Sequence, residues 1–564
     1  MPEPRRAHLL PVAGILLLGL LAYSNSLRGD FVFDDLRQIR DNPVIRDLGK
    51  FLWSGAGYRF SPNRFVAYLT FALNYRFGGL AVFGWHAVNL AIHLANALVL
   101  YALVVSAFRA PRIAGSGLAA SARAVAFSAA ALFVTHPLQT QAVSYVVQRL
   151  TSLAALFYLL AMLLYLRWRL LQEAGGRGPL RAATYLGAVA AALLAVRTKE
   201  IAFTLPAAAL LLEAALFGRP DRRRLLAMVP FAAAALWIPA TLLLQQRTSG
   251  HLLSDVDAVS RLQATGVSRL DYLRTQLVVV ARYLRLLAWP TGQDADPDLR
   301  LVLSLREPGV FPALLLHLGL LGAAAWAWRR TSPGAARPLD PAARLAAAGI
   351  LFFYVALSVE SSLVPIADLM FEHRAYLPSA GFFAAVAVTA ALALRALRPS
   401  RSPGRVLVAL ALACALPLGF ATLLRNRVWW TEIAFWTDVA ARSPAKARAR
   451  FNLATALVQR GREEDGVLEL RRTLAIDPGW TEARIQLGGV LMLLGRYPEA
   501  EPELRRAVTE KPAEPEALFD LAELLWRTGR REEARDWYRR FLGVAPPELD
   551  RLRRIAEART RVSR

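Results

Sequence analysis

The chain has 564 residues, 55% of them hydrophobic, a mean hydropathy of +0.34 and a formal net charge of +25. That length and apolarity exclude a single soluble domain. The basic excess is what the cytoplasmic loops of a membrane protein carry, so it does not call for a nucleic-acid partner, and none is expected. The one cysteine, Cys414, lies inside an apolar run, which excludes intramolecular disulfides and cysteine metal sites. Heavy use of Ala and Arg suggests a GC-rich bacterial genome.

About eleven apolar runs approach the ~20 residues a bilayer-spanning helix needs. They are Leu9–Leu27, Leu80–Phe108, Ala124–Thr135, Leu150–Trp168, Ala182–Val196, Ile201–Phe217, Leu225–Leu244, Val310–Trp328, Leu345–Val359, Phe382–Leu397 and Val406–Leu424. The first follows Arg5-Arg6 and precedes Ala22-Tyr23-Ser24, a small-residue site of the kind a signal peptidase cuts; it is read as an uncleaved anchor. Gln276 to Trp289 reads as a re-entrant or interfacial helix, because Arg282 and Arg285 argue against a lipid-exposed span.

Loop charge sets an orientation. Arg5-Arg6 place the N-terminus in the cytoplasm. The loops carrying Arg109, Arg112 and Arg123, then Arg167, Arg169, Arg177 and Arg181, then Arg219 and Arg222-Arg223-Arg224, then Arg329-Arg330, then Arg395, Arg398, Arg401 and Arg405 fall on the same side. The other loops hold the carboxylates and the long insertions. An odd number of spans then puts everything after Leu424 outside, in the periplasm of a Gram-negative cell, with the bundle in the inner membrane.

The tail has a fixed period. Pro444, Pro478, Pro512 and Pro546 are spaced evenly, as are Leu453, Leu487 and Leu521, and Gly461, Gly495 and Gly529, each glycine followed by Arg. This is the tetratricopeptide pattern of paired helices. Ala454, Gly488 and Ala522 let the pairs approach closely, as do Ala500 and Ala534, while Gly466 stands where the pattern has Ala. Trp429, Trp430 and Trp436 are expected at the membrane interface or in the first seam of the array. The predicted fold is all-α: a multi-pass bundle over residues 1–427, a junction or half repeat over 428–444, repeats over 445–478, 479–512 and 513–546, and a capping helix over 547–564. Such arrays present a concave face suited to a peptide partner.

Ionisable residues at span ends suggest function by default. On the predicted outer side these are Asp34 and Asp35 in the first loop, His136 and Arg149 around the second, Lys199 and Glu200 in a tight turn, Arg282, and Glu372, His373 and Arg374 with Tyr376. Carboxylates, cations and a histidine in one outward cleft fit transfer of a sugar from a lipid-linked phosphosugar. A carboxylate takes the acceptor proton and cations stabilise the leaving phosphate. Plainer readings stand beside this one: Lys199 and Glu200 as a local ion pair, Glu372 and Arg374 as a structural pair, His136 as a cap, and His86 and His93 as intrahelical polar contacts. No histidine spacing suggests a metal site. No cofactor is required, although Asp34 and Asp35 are the pair that could hold Mg²⁺ or Mn²⁺.

The residues Phe31-Val32-Phe33-Asp34-Asp35, His136-Pro137-Leu138-Gln139-Thr140-Gln141-Ala142-Val143 with Arg149, Lys199-Glu200, the run from Glu372 to Phe382, and Arg425-Asn426 with Trp430 ahead of the repeats together resemble the transmembrane and tetratricopeptide-repeat O-mannosyltransferases, within the C-type glycosyltransferase superfamily. The resemblance implies a polyprenyl-phosphate sugar donor, mannose in the eukaryotic members, and inverting transfer to Ser or Thr hydroxyls of exported proteins. It implies that an acid of the first loop, Asp34 or Asp35, is catalytic. Arg374, Lys199, Arg282, His373 and Arg149 are the expected donor-phosphate contacts, with Glu200, His136, Glu372 and Tyr376 supporting them. His373 departs from the family pattern, which more often reads Glu-Arg, and three repeats are few. A lipid-linked glycan polymerase or ligase and a non-catalytic anchored scaffold remain as alternative functions.

Overall fold

The computed structural model describes residues 5–176, 178–245, 267–362, 365–366, 368–397 and 403–561, so Arg177, Arg398 and Arg401 lie outside the described residues. The described residues contain helices and no strand. They form two compact units, one of residues 1–295 and 299–431, the other of 296–298 and 432–564.

In the first unit the helices of ten or more residues are α1 (Leu9–Ala22), α2 (Phe65–Gly78), α3 (Val82–Ala107), α4 (Ala122–Thr135), α5 (Arg149–Glu173), α6 (Pro179–Val196), α7 (Leu205–Leu216), α8 (Arg222–Gln245), α9 (Arg269–Ala288), α10 (Val310–Arg330), α11 (Ala343–Leu357), α12 (Tyr376–Leu397) and α13 (Gly404–Asn426). Each of the eleven apolar runs coincides with one of these. Among the described residues, seven segments are long and apolar enough to cross a bilayer, those containing α3, α5, α6, α8, α10, α12 and α13, or up to eight if a bent pair counts as one. Of the about eleven expected spans, seven or eight have full bilayer length among the described residues, and the rest are shorter apolar helices. At 1.5 Å per residue, α1, α7 and α11 reach only about 18–23 Å, short of a ~30 Å core. The bent pair breaks at His136, where the chain turns by 54° between residues 119–135 and 137–143. Pro137 causes this: its ring pushes the preceding residue out of helical geometry, and His136 sits extended at ψ 128°.

Small residues set the packing distances. A Cβ on Gly349 of α11 would lie 2.5 Å from the Gly381 carbonyl oxygen of α12, and one on Gly381 would meet Gly349 in the same way. Only glycine fits at that crossing. The loop after α1 is locked to the end of α13. Asn25 Nδ2 donates to the Leu423 oxygen at 2.8 Å, Asn426 Nδ2 to the Ala22 oxygen at 3.0 Å, and the Asp30 N–H to the Trp430 oxygen at 2.8 Å. These bonds join residues some 400 apart in sequence and fix where the first loop starts.

The second unit contains α14 (Glu432–Arg442), α15 (Ala447–Gln459), α16 (Glu463–Ile476), α17 (Thr481–Leu493), α18 (Tyr497–Glu510), α19 (Pro515–Arg527), α20 (Arg531–Val544) and α21 (Asp550–Arg561). The recurring Gly-Arg pairs close the first helix of each pair. Gly461, Gly495 and Gly529 adopt φ of 72°, 73° and 84°, and the following N–H reaches back to the last turn, as Arg496 does to the Leu491 oxygen at 2.8 Å. Gly466, the departure from the Ala pattern, has a packing cause: a Cβ there would sit 2.5 Å from Val458 Cγ2.

Candidate functional site

The first loop carries the only described non-glycine residue in the left-handed region, Phe33, at φ 55°. For an aromatic residue this costs about 1–2 kcal/mol, so the surroundings must hold it. They do: Phe33 stacks on Tyr145 at 5.9 Å, and Tyr145 stacks on Trp429 at 5.2 Å. Trp429 is 1% exposed, so it belongs to this stack rather than to a membrane interface or a repeat seam. Trp430 is partly exposed and bonds Asn25, while Trp436 is buried against Phe435.

The kink at Phe33 separates the two aspartates. Asp35 is fully buried. One carboxylate oxygen accepts the Val147 N–H at 2.6 Å; the other accepts Val32 at 3.2 Å and Val146 at 3.3 Å. Burial pushes its pKa up to about 8, against the lowering effect of those three amides. Asp34 is exposed, with its N–H on the Tyr145 hydroxyl at 3.1 Å and its carboxylate in contact with the same hydroxyl. The pair thus has two environments, one buried on backbone amides and one exposed. No group of three metal-ligating side chains occurs among the described residues.

The cations gather near α2, α5, α9 and α12. Lys199 Nζ pairs with Glu360 at 2.9 Å and donates to Thr151 Oγ1 at 3.0 Å. Burial lowers the Lys199 pKa, and Glu360 offsets part of that. Arg64 forms a fork on Glu200, at 3.0 and 3.2 Å. Burial works to raise the Glu200 pKa, but the Arg64 guanidinium prevails and holds it below the ordinary value. The plainer reading of Lys199 and Glu200 as a local ion pair is therefore replaced by two separate pairs. Arg374, 5% exposed, donates to the Asp368 and Leu369 carbonyls at 2.8 and 3.3 Å and engages the Tyr272 hydroxyl. It makes no ion pair with a described residue. His373 lies within electrostatic reach of Lys199, Arg374 and Arg64, with its Nδ1 buried and unpartnered. Tyr68 lies within electrostatic range of Asp34, Arg64 and Glu200, and its hydroxyl donates to Gln38 Oε1 at 2.6 Å.

The remaining expected residues brace the site. Arg149 is fully buried. It donates to Asn89 Oδ1 at 2.6 Å, the Trp85 oxygen at 3.0 Å and the Thr70 oxygen at 3.3 Å, with Phe71 and Trp85 rings against its guanidinium. Each of its three guanidinium nitrogens is thus bonded within the protein. Arg282 is half-buried on α9 and makes no hydrogen bond or ion pair to a described residue. Glu372 does not pair with Arg374; it accepts Gln293 Nε2 at 2.9 Å and the Asp294 N–H at 2.7 Å. His136 Nδ1 accepts the Leu138 N–H at 3.2 Å, the capping role. His93 Nε2–H donates to the Val134 oxygen at 3.2 Å, so its Nδ1 accepts from Tyr376 at 2.7 Å. His86 donates to the Gly29 oxygen at 2.9 Å. Both histidines link separate elements rather than making intrahelical contacts. Gln141, inside the second motif, accepts the His373 N–H at 2.7 Å and donates to the Ala295 oxygen at 2.9 Å.

Arg64, Glu360 and Tyr145 were not among the expected site residues. Arg64 precedes the apolar run of α2, and Glu360 follows the end of α11; each is a charge at a helix boundary, the signal that singled out the others. Farther along α3, α5, α7, α11 and α12 lies a half-open cavity of about 100 Å³, lined by Leu100, Leu159, Ala208, Phe352 and Gly381. Its walls are apolar.

A family model described as tetratricopeptide repeat matches residues 434–479 and 486–548. Among curated proteins, the chain is 35% identical over 177 residues to protein O-mannosyl-transferase TMTC1 of Mus musculus, covering 29% of this chain and 18% of that protein. It is 34% identical over 161 residues to tmtc2 of Xenopus laevis, 27% and 18% of the two chains. To Tmtc2 of Drosophila melanogaster it is 34% identical over 222 residues, 37% and 22%. The chain thus spans about a fifth of the length of these relatives. The motif resemblance to the transmembrane and tetratricopeptide-repeat O-mannosyltransferases is supported by all three.

Proposed function

We propose that this chain is a multi-pass membrane glycosyltransferase that moves a sugar, mannose or another hexose, from a polyprenyl-phosphate donor to Ser or Thr hydroxyls of exported proteins. Asp34 is the general base. It takes the proton of the acceptor hydroxyl as that oxygen bonds the sugar C1 from the face opposite the phosphate. The C1–O bond to phosphate breaks, its electron pair leaves with the phosphate, and the configuration at C1 inverts. Asp35, with both oxygens committed to backbone amides, orients the loop that presents Asp34. Arg374 and Lys199 take up the phosphate charge, with His373 and Arg64 beside them.

The observation that carries this reading is the charge balance of the cleft. Lys199 and Arg64 each have a carboxylate partner, while Arg374 is buried with carbonyl and hydroxyl contacts and no ion pair to a described residue. Glu360 and Asp368 lie within electrostatic range of Arg374 without forming a direct ion pair with it, and a donor phosphate would supply that direct partner. The apolar cavity suits part of the polyprenyl tail: Ala380, on its wall, follows Arg374 by six residues, about 9 Å of helix rise. The similarity to protein O-mannosyl-transferases points the same way. The site end faces away from the cytosol in a bacterial inner membrane, and the repeats recruit the protein acceptor.

The test is to supply the purified full chain in detergent with polyprenyl-phosphate sugars, each in turn, with a Ser/Thr-rich peptide. Release of polyprenyl phosphate together with a hexose-bearing peptide is expected for one of them. Release that requires a glycan acceptor instead of the peptide would favour a polymerase or ligase. No release with any donor, by protein that stays folded, would leave an anchored repeat scaffold.

A further inference from the structure

The first unit also holds a polar pocket of about 510 Å³ that the proposed transfer does not use. Three arginines line it: Arg112 from the loop after α3, Arg219 from the loop after α7, and Arg344 at the start of α11. Trp328 and Ser332, at and just past the end of α10, complete the wall. These are loops that the charge pattern assigns to one side, and they meet in one cavity.

None of the three arginines makes an ion pair with a described residue. The nearby carboxylates are already engaged. Glu213 pairs with Arg169 at 2.8 Å, and Asp340 accepts Ser116 Oγ at 2.5 Å and the Gly117 N–H at 3.0 Å, with Arg395 alongside. Arg344 is 3% exposed. Its guanidinium lies over the Trp328 ring at 4.2 Å and one nitrogen donates to the Trp328 oxygen at 3.3 Å, which fixes its plane. Its Nε is buried and has no partner. Arg112 is close enough to Arg344 for the two charges to interact. Like charges do not gather around a buried donor without something to neutralise them.

We infer that this pocket binds a phosphate group, held by Arg344 within and by Arg112 and Arg219 at the mouth. Guanidinium forks match phosphate oxygens, and the unpartnered Arg344 Nε supplies a fixed donor. Two sources share this chemistry: the headgroup of an anionic phospholipid, reached from the bilayer edge beside Trp328, and a soluble phosphate.

Thermal unfolding of the full chain in dodecyl maltoside distinguishes them, with mixed micelles of phosphatidylglycerol as one probe and inorganic phosphate as the other. Binding is expected to raise the unfolding temperature in proportion to the logarithm of probe concentration. A rise with phosphatidylglycerol alone identifies the headgroup; a rise with inorganic phosphate identifies a soluble ligand. Because Arg344 also braces α10, the variant is Arg112→Gln with Arg219→Gln. It should unfold like the unsubstituted chain without probe and bind at least about tenfold more weakly. No rise with either probe, or an equal rise in the double variant, overturns the assignment. Since the readout is binding at this pocket, its failure leaves the transferase reading untouched, and failure of transfer leaves the pocket standing.

Discussion

Asp34→Asn and Asp35→Asn, made separately, should fail for different reasons. Once the Asp35 carboxyl ionises above pH ~8, its backbone N–H partners meet only acceptor oxygens, whereas asparagine at 35 must point its NH₂ at one of them. Keeping its oxygen on Val32 and Val146 turns the NH₂ toward Val147, whose bond is the shortest of the three at 2.6 Å. One buried donor loses its acceptor and two donors oppose each other, which destabilises by about 1–3 kcal/mol. Asp34 is exposed, and asparagine there keeps the size and the backbone bond to Tyr145. Its stability should change by less than about 0.5 kcal/mol, while transfer should fall about 10²–10⁴-fold with loss of the base. Denaturant unfolding of both proteins, beside donor turnover at matched folded fraction, reads the two effects. Transfer within threefold of the unsubstituted enzyme in Asp34→Asn would refute the assignment of the base. So would an Asp35→Asn protein that is fully stable yet inactive, since that outcome makes Asp35 the reacting group.

The Asp35 carboxyl also sets a pH dependence. Its folded pKa of about 8 is above the ordinary carboxylate value of about 4. Its contribution to stability is therefore fully present below pH ~4 and is lost as pH rises toward about 8; melting across that window should flatten in Asp35→Asn. Arg149→Lys should destabilise the membrane unit by about 2 kcal/mol or more, because one ammonium cannot replace donors spread over Asn89, Trp85 and Thr70; an unchanged unfolding midpoint with a raised donor KM would instead make it a phosphate contact. Arg374→Gln should cut kcat/KM for the donor about 10–100-fold with stability changed by under about 1.5 kcal/mol, measured by turnover and unfolding side by side. Gly466→Ala restores the usual repeat residue yet should destabilise the second unit by about 1–3 kcal/mol, because its methyl meets Val458 Cγ2. Adding Val458→Ala should recover part of that loss in urea titrations.

Periodicity and composition determined most of the architecture. The apolar runs became helices because an Ala- and Leu-rich segment has no other way to satisfy its backbone in lipid, and the Gly-Arg and Pro spacing announced the repeats because each glycine takes a left-handed cap. The break at His136 followed from Pro137 alone. Sequence also singled out charged residues, since a charge at a span end is conspicuous. It did not say which of them meet. Lys199 and Glu200 are adjacent in the chain, yet they turn to Glu360 and Arg64. Arg149 looked like a phosphate contact and is instead enclosed by α2 and α3. Asp34 and Asp35 are indistinguishable as letters; the left-handed turn at Phe33, held by stacking on Tyr145 and Trp429, buries one and exposes the other. Pairing, burial and strain depend on neighbours hundreds of residues away, and only the packed chain brings those neighbours into contact.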